Sequence, residues 1–535
     1  MKMNSRTQSL ALSGIVTVIC LAAGGMADIV YADTAADVIV LRAEMDTMKR
    51  QFAMMKDANA ELQKRVATLE DRINFQPPSQ PTMTAGAVSE VACPTSEIAK
   101  ISKKTEISVL EQYSKQSALD ATAILQKVPD YIPNYFTKGL EFHGYFRSGY
   151  GVNGKGGMMQ AFQAPGAPAK FRLGNEQETY IESILVNNNW NPDPEGITVK
   201  TQLRMAYQTN QNNVTWDPIN DRVYPAEMFG EMGNIIPGHP DIKVWAGERF
   251  YRLPELDIID FWWSDMSGYG GGFSDIDLFN NAAKLNIAYI GYSPNDVSLS
   301  TSRGRLAKNN IHIMFHDFEV PGGVGTFWVN GGYIKGGNTT DLTPNVKYPD
   351  MAGINVGFMH YIPGELNNNQ LGLQYGCGAN TSLSAGGNMP MTDDDRKSWR
   401  VRITEMFNRQ ITDKLCVQID GVYQYTDSGR DTKCRETWIS LGARPIYMFN
   451  KHFGLEFEPG VDYINNPLNG YDTCLYKVTG ALRVAPAPIW NSRPEFRIFA
   501  TYATWGDDFR GQVGGPGYET QTEGWNYGIQ CENWW

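Results

Sequence analysis

The chain has 535 residues and carries 47 Lys and Arg against 58 Asp and Glu, a formal net charge of −11. This acidic balance argues against a nucleic-acid binder, which is normally basic. The mean hydropathy of −0.37 and the lack of an apolar run of spanning length exclude membrane insertion through helices. They do not exclude insertion through β-strands, whose pore-facing side chains are polar.

Residues 1–32 are predicted to be a secretory signal peptide. Lys2 and Arg6 precede an apolar stretch that is too short for a spanning helix. Small residues suit cleavage after Ala27 or after Ala32, and we favour Ala32. A retained N-terminal anchor is the alternative. Six cysteines follow residue 32; their spacing indicates no metal site, and their pairing cannot be read from the sequence.

Residues 33–75 are predicted to form a coiled coil. Apolar residues recur there at alternating intervals of four and three over five heptads, with one polar residue, Asn59, at an a position. Such a residue fixes the register between identical chains, so oligomerisation is the plainest role. A single amphipathic helix packed on its own domain is the alternative. The repeating positions are Leu41, Met45, Met48, Phe52, Met55, Asn59, Leu62, Val66, Leu69 and Ile73.

Residues 76–139 follow as a Pro-containing linker and a polar segment that could hold one or two short helices. From residue 140 the apolar period changes to two, which predicts β-strands. Within 141–150, for example, Tyr145 and Arg147 fall on one face while Phe142 and Phe146 fall on the other. A soluble β-sandwich would alternate similarly. The signal peptide, the aromatic content and the final Trp535 favour an all-β transmembrane barrel with an N-terminal helical extension.

Several segments closely resemble maltoporin, and they occur in the same order. The resemblance spans residues 140–535 and is weaker over 275–395. It implies eighteen antiparallel strands, a homotrimer and a third loop folded into the pore, while the N-terminal extension is more similar to the sucrose porins. The matching segments are Glu141 to Gly149, Phe171 to Tyr180, Val244 to Tyr251, Ile259 to Phe261, Ser267 and Gly268, Gly442 to Tyr447, Ser492 to Trp505, and Trp534 with Trp535.

A sugar has apolar C–H faces and a rim of hydroxyls that need hydrogen bonds once water is removed. Maltoporins receive these surfaces on an aromatic slide and a polar track, respectively. The resemblance places the slide on Tyr145, Tyr180, Trp216, Trp438 and Trp534. It places the polar track and constriction on Arg147, Arg172, Glu182, Arg222, Asp260 and Trp262.

Two departures from the family pattern affect the constriction. Trp262 stands where the family has a tyrosine, so it is bulkier and lacks a hydroxyl. Arg252 comes one residue earlier than the expected track arginine, and Leu253 stands in its place. Ala161 and Gln177 occupy the positions of the family's first-loop disulfide, which is therefore expected to be absent. These changes leave the identity of the sugar open.

We therefore expect an outer-membrane porin of a Gram-negative bacterium, surrounded by outer-membrane lipid, that conducts oligosaccharides of the maltodextrin or sucrose type. Its N-terminal extension is expected in the periplasm, where a cell-wall or periplasmic partner could bind it. No catalytic motif, cofactor or metal is expected; His312 and His316 supply only two candidate ligands. A non-selective porin, or a barrel with a mainly structural or tethering role, is the alternative.

Overall fold

The computed structural model describes residues 139–176, 178–188, 196–209, 222–293, 306–338, 347–387, 393–430 and 434–535. The predicted signal peptide, coiled coil and following segment through residue 138 lie outside these residues, and so does Trp216. No helix in the described ranges is long and apolar enough to cross a membrane.

The described residues form twenty strands. Most are seven to fourteen residues long. The strands are β1 (Leu140–Asn153), β2 (Tyr180–Asn187), β3 (Thr198–Gln208), β4 (Arg222–Gly233), β5 (Lys243–Arg249), β6 (Gly268–Leu278), β7 (Ala283–Tyr292), β8 (Lys308–Val320), β9 (Gly323–Ile334), β10 (Gly337–Asn338), β11 (Lys347–Tyr348), β12 (Met351–Ile362), β13 (Asn368–Gly378), β14 (Trp399–Thr412), β15 (Leu415–Asp427), β16 (Arg435–Met448), β17 (Phe453–Asn466), β18 (Tyr471–Val484), β19 (Glu495–Trp505) and β20 (Glu523–Trp534).

Within the described part of the chain, eighteen of these strands close into one antiparallel barrel. Each strand pairs with its neighbours in sequence, β9 pairs with β12, and β1 closes the ring by pairing with both β2 and β20. The short strands β10 and β11 form a separate ribbon. The predicted eighteen-stranded barrel is thus confirmed. We call the rim where β1 begins and β20 ends the terminal end, and the opposite rim the loop end.

The predicted alternation of the strands is also confirmed. On β19, Glu495, Arg497 and Thr501 are buried towards the lumen, whereas Phe496 and Ile498 are exposed on the outer surface. Successive side chains of a strand point to opposite faces, so each strand gives an apolar surface to lipid and a polar surface to the interior.

The closing seam between β1 and β20 divides the last two residues between these surfaces. Tyr145 of β1 lies opposite Trp534 in register, so both face the lumen. Gly144 exchanges two backbone hydrogen bonds with Trp535, whose ring lies on the outer surface, with its centroid 5.4 Å from that of Phe142. A Cβ at Gly144 would lie 2.4 Å from the Trp535 ring, so this position needs glycine.

Two loops at the loop end fold into the lumen. The third loop, residues 250–267, reaches the inner wall of β14 and β15, where the amide N–H of Ile258 donates to Asp420 Oδ2 (2.8 Å) and Arg402 donates to the carbonyl of Trp263 (2.6 Å). This fold of the third loop is the one that the family resemblance implies. It narrows the passage through the barrel.

The first loop, described over residues 154–176 and 178–179, lies against β16 to β19. Lys477 is fully buried there; its Nζ donates to the carbonyl of Leu173 (2.7 Å) and to Glu458 Oε1 (2.8 Å), and Arg444 completes the ion pair with Glu458 (2.5 Å). The buried Phe171 ring covers two wall glycines, Gly442 and Gly460, at which a Cβ would lie 2.0 and 2.5 Å from the ring. Glycine is needed at both positions because the loop lies so close to the wall.

Candidate pore constriction

A row of three aromatic side chains follows the inner wall from the loop end to the terminal end. Tyr180 begins β2, Tyr145 lies on β1, and Trp534 lies beside Tyr145 on β20. The ring centroids of Tyr145 and Tyr180 are 6.1 Å apart at a tilt of 54°. Trp534 is 39% exposed, with the Arg493 guanidinium 3.7 Å from the centroid of its ring. The structure therefore brings together three of the five predicted slide residues.

Charged groups surround the Tyr145 hydroxyl. Arg172 of the first loop donates to this oxygen at 2.6 Å and to Glu532 Oε1 at 2.9 Å, and the hydroxyl itself donates to Glu532 at 2.9 Å. Arg147 lies 5.0 Å above the Tyr180 ring and forms an ion pair with Glu178 at 2.5 Å. The predicted track arginines Arg147 and Arg172 thus lie directly against the predicted slide.

Asp260 of the third loop completes this polar group. Its Oδ2 lies 3.9 Å from Arg147 and 4.0 Å from Arg172. Burial alone would raise the pKa of Asp260, but Arg172, a hydrogen bond with Glu255 and Arg147 together hold the pKa below its ordinary value. The backbone of Asp260 has φ +52°, a left-handed conformation that aspartate tolerates better than bulky residues do. The Asp260 carboxylate is therefore charged and faces the aromatic row.

Two further track residues lie beside Tyr180. The Tyr180 hydroxyl donates to Glu182 Oε1 at 2.6 Å, and Glu182 forms an ion pair with Arg204 of β3 at 2.5 Å. Arg222 lies opposite Gln208 in register at the start of β4 and is exposed. Glu182 is therefore part of the constriction, whereas Arg222 lies at its loop end.

Four consecutive residues of the third loop alternate between the wall and the passage. Phe261 packs edge-on against Trp438 with ring centroids 5.2 Å apart, and the buried Trp263 packs against Trp328 at 5.7 Å. Between them, Trp262 is 37% exposed. Trp262 therefore remains uncovered on the loop that narrows the passage, two residues from the Asp260 carboxylate that contacts Arg147 and Arg172.

Trp438 occupies a different environment from the other slide residues. It does face inward from β16, but it is only 1% exposed because Phe261 covers it, and its Nε1 donates to Asp462 at 3.3 Å. A covered ring cannot receive a passing ligand in this arrangement. Trp438 instead supports the third loop, so we leave it out of the surface proposed below.

The sequence did not single out several residues that complete the site. Glu532 and Arg493 hold Tyr145 and Trp534, and Arg204 and Glu176 pair with track residues. Glu532 shares the parity of Trp534 on β20, so alternation was a usable signal for it. Arg493 lies in the turn between β18 and β19, where no alternation exists.

No group of three or more His, Cys, Asp or Glu side chains suited to a metal occurs among the described residues. The buried His312 meets the Tyr251 ring at a centroid distance of 5.4 Å, and His316 lies 3.8 Å from Asp275. Each of the five described cysteines is unpaired: Cys377, Cys416, Cys434, Cys474 and Cys531.

A closed antiparallel barrel whose lumen is narrowed by inward loops and lined by charged groups defines a porin, a channel rather than an enzyme. A sequence model described as LamB porin matches residues 140–535. The chain belongs to the LamB porin family. Family and barrel together imply the outer membrane of a Gram-negative bacterium.

Solved porin structures are similar to this chain at low identity. A BenF-like porin from Pseudomonas fluorescens Pf-5 is 9% identical, with 74% of this chain and 98% of that chain covered and a TM-score of 0.41. OccK2 (OpdF) of Pseudomonas aeruginosa is 10% identical over 74% and 97%, with a TM-score of 0.40. A Rhodopseudomonas blastica porin mutant is 9% identical over 74% and 100%, at 0.32. Similarity at this level adds nothing to the family assignment.

Proposed function

We propose that this porin gives facilitated diffusion to oligosaccharides of the maltodextrin or sucrose type. The observation that carries the proposal is the row of Tyr180, Tyr145 and Trp534 with charged groups along its edge. The rings offer apolar faces for sugar C–H groups, and the arginines and carboxylates beside them exchange hydrogen bonds with hydroxyls.

The contacts are of the strength that conduction needs. An aromatic contact adds about 1 kcal/mol beyond its area burial, so a sugar can leave each ring as readily as it arrives, and a row of weak sites lets it move from one to the next. Arg147 and Arg172 are paired with carboxylates, which leaves the wall nearly neutral. A neutral polar ligand suits such a wall better than an ion does.

Single-channel conductance of the purified protein in planar bilayers tests this function. Maltodextrins and sucrose are expected to block the ion current in proportion to their occupancy of the pore. Sorbitol is the matched control because it carries hydroxyls but no ring, so it should block far less at equal concentration. Ion current that no sugar blocks would favour the alternative, a non-selective porin.

We propose further that the protein is a homotrimer whose N-terminal coiled coil lies in the periplasm and supports assembly. The support is the heptad pattern of residues 33–75 and the family resemblance. Leu62→Pro in the full chain should break the coiled coil and lower the temperature at which the trimer dissociates in detergent. An unchanged dissociation temperature would leave the extension with a tethering role towards a cell-wall or periplasmic partner.

A further inference from the structure

Trp262 belongs to a stack of alternating cations and rings. The guanidinium carbon of Arg252 lies 4.7 Å from the Trp262 ring centroid and 3.7 Å from that of Phe250. The guanidinium carbon of Arg204 also lies 4.9 Å from the Phe250 ring centroid. These contacts connect Arg204 on the barrel wall, Phe250, Arg252 and the exposed Trp262 ring of the third loop.

The backbone of Arg252 is held by a short antiparallel ladder between the two arms of the third loop. The amide of Leu253 donates to the carbonyl of Ser264 at 3.1 Å, and the amide of Met266 donates to the carbonyl of Tyr251 at 2.9 Å. The Nε of Arg252 also donates to Ser267 Oγ at 3.2 Å and lies 3.2 Å from Asp265 Oδ2. Charge and backbone both keep this guanidinium in place.

The ladder explains why an arginine at 252 differs from one at 253. Tyr251 and Leu253 share one face, on which Tyr251 stacks on Trp245 with ring centroids 5.8 Å apart and Leu253 packs against the buried core. Phe250 and Arg252 share the opposite face, towards the passage. An arginine at 253 would be directed into the core, whereas at 252 it reaches Trp262.

We propose that Arg252 is a positioning residue that holds the exposed Trp262 ring of the third loop in the passage and thereby fixes the width of the constriction. A planar guanidinium between two rings stacks on both, which a lysine ammonium cannot do. Its role towards sugars rests on the proposed function, but its effect on the width of the passage also acts on ions.

A double-substitution cycle tests the proposal on two readouts, open-channel ion conductance and sugar block. Arg252→Ala should weaken sugar block about fivefold, the effect of a cation–π contact of about 1 kcal/mol, and should change the open-channel conductance and its noise. In a Trp262→Ala background, Arg252→Ala should show only the smaller effect of removing its charge. Arg252→Lys keeps the charge beside Asp265 but loses the stacking, so it should behave like Arg252→Ala.

Arg249→Ala is the matched control. Arg249 also lies over rings, at 4.7 Å from Phe229 and 5.1 Å from Trp245, so its removal takes the same charge from the lumen without touching Trp262. The effect of Arg249→Ala on conductance and on sugar block should be the same whether residue 262 is Trp or Ala. Unchanged dissociation temperatures of the trimer confirm that all variants fold.

Equal effects of Arg252→Ala in the two backgrounds, or wild-type behaviour of Arg252→Lys, would overturn the positioning role. If no sugar blocks the wild-type channel while the conductance cycle still shows coupling, the sugar function fails and the positioning role stands. If sugars block the channel but the effects of Arg252→Ala and Trp262→Ala simply add in both conductance and block, the sugar function stands and the positioning role fails.

Discussion

Arg172 donates a hydrogen bond of 2.6 Å to the hydroxyl of Tyr145. The two residues come from different parts of the barrel, the first loop and the middle of β1. Since the first loop is itself bound to the wall through Leu173 and Lys477, the orientation of a pore-lining ring depends on a loop that crosses the lumen.

Tyr145→Ala should weaken sugar block about fivefold, because one aromatic contact contributes about 1 kcal/mol. Tyr145→Phe should weaken block less, since it keeps the ring and removes only the hydroxyl that binds Arg172 and Glu532. The measurement is the sugar concentration at half-maximal block. Tyr150→Ala is the control, because Tyr150 is 57% exposed on the outer surface of the same strand; an equal effect there would contradict a role of the lumen face.

Gly442→Ala should displace Phe171 and loosen the first loop, because the new Cβ would lie 2.0 Å from the ring. Forcing a methyl group into a packed contact costs about 1–3 kcal/mol. Urea unfolding in detergent micelles measures the cost. Phe171→Ala in the same chain should recover part of it, and Gly480→Ala, where a Cβ meets no atom within 4 Å, should be neutral. A neutral Gly442→Ala would mean that the loop does not rest on this wall.

Lys477→Met should release the first loop from the wall. The substitution removes the donor to the Leu173 carbonyl and one partner of the buried Glu458, and breaking a buried ion pair costs about 3–5 kcal/mol. The released loop should become a substrate for trypsin after Lys170 or Arg172. Lys335→Met removes an exposed pair with Asp350 and should leave the first loop resistant. If the first loop of Lys477→Met also resists trypsin, other contacts are sufficient to hold this loop against the wall.

The ion selectivity of the channel should depend on Glu255. Burial, and then the neighbouring Asp260, hold the pKa of Glu255 well above its ordinary value of 4.5. An acid with a raised pKa is neutral in the folded protein until the pH rises through that pKa, so the stability due to the neutral form is lost towards alkaline pH. Ionised Glu255 would then add a negative charge beside Asp260.

Cation selectivity should therefore increase as the pH is raised, as measured by the reversal potential in a KCl gradient. Glu255→Gln mimics the neutral form and should remove most of this dependence. Asp260, whose pKa is held below its ordinary value, should not contribute until the solution is strongly acidic. A Glu255→Gln channel that titrates like the wild type would assign the dependence to another group.

Strand periodicity predicted which face of a strand each residue lies on, whereas the choice of a barrel over a soluble sandwich also needed the signal peptide, the aromatic content and the family resemblance. Tyr145, Tyr180, Glu182 and Trp534 all face the lumen as the alternation of β1, β2 and β20 indicates. Alternation is a local property of the backbone, so it can be read without knowing which strands pair. The coiled coil and the trimer stay predictions.

Periodicity could not show which lumen-facing residues are covered. Trp438 has the expected parity, but it lies beneath Phe261. Phe261 is far from Trp438 in the sequence, so a local pattern could not show this contact. The role of Arg252 was missed for a similar reason. Its shift by one residue is visible in the sequence, but the ladder that gives the shift its meaning forms only when the third loop folds back on itself.

The pairing of β1 with β20 both closes the barrel and places an aromatic ring in the pore. Trp534 and Trp535 are adjacent, yet one ring enters the passage and the other enters the outer surface. A slip of one residue in this pairing would turn the Trp534 ring towards lipid and the Trp535 ring towards the pore. It would also remove Trp535 from Gly144, the residue whose missing side chain makes room for its ring. A barrel closed in the wrong register would therefore be less stable on both its lipid-facing and its pore-facing surfaces, so the last strand favours the correct register.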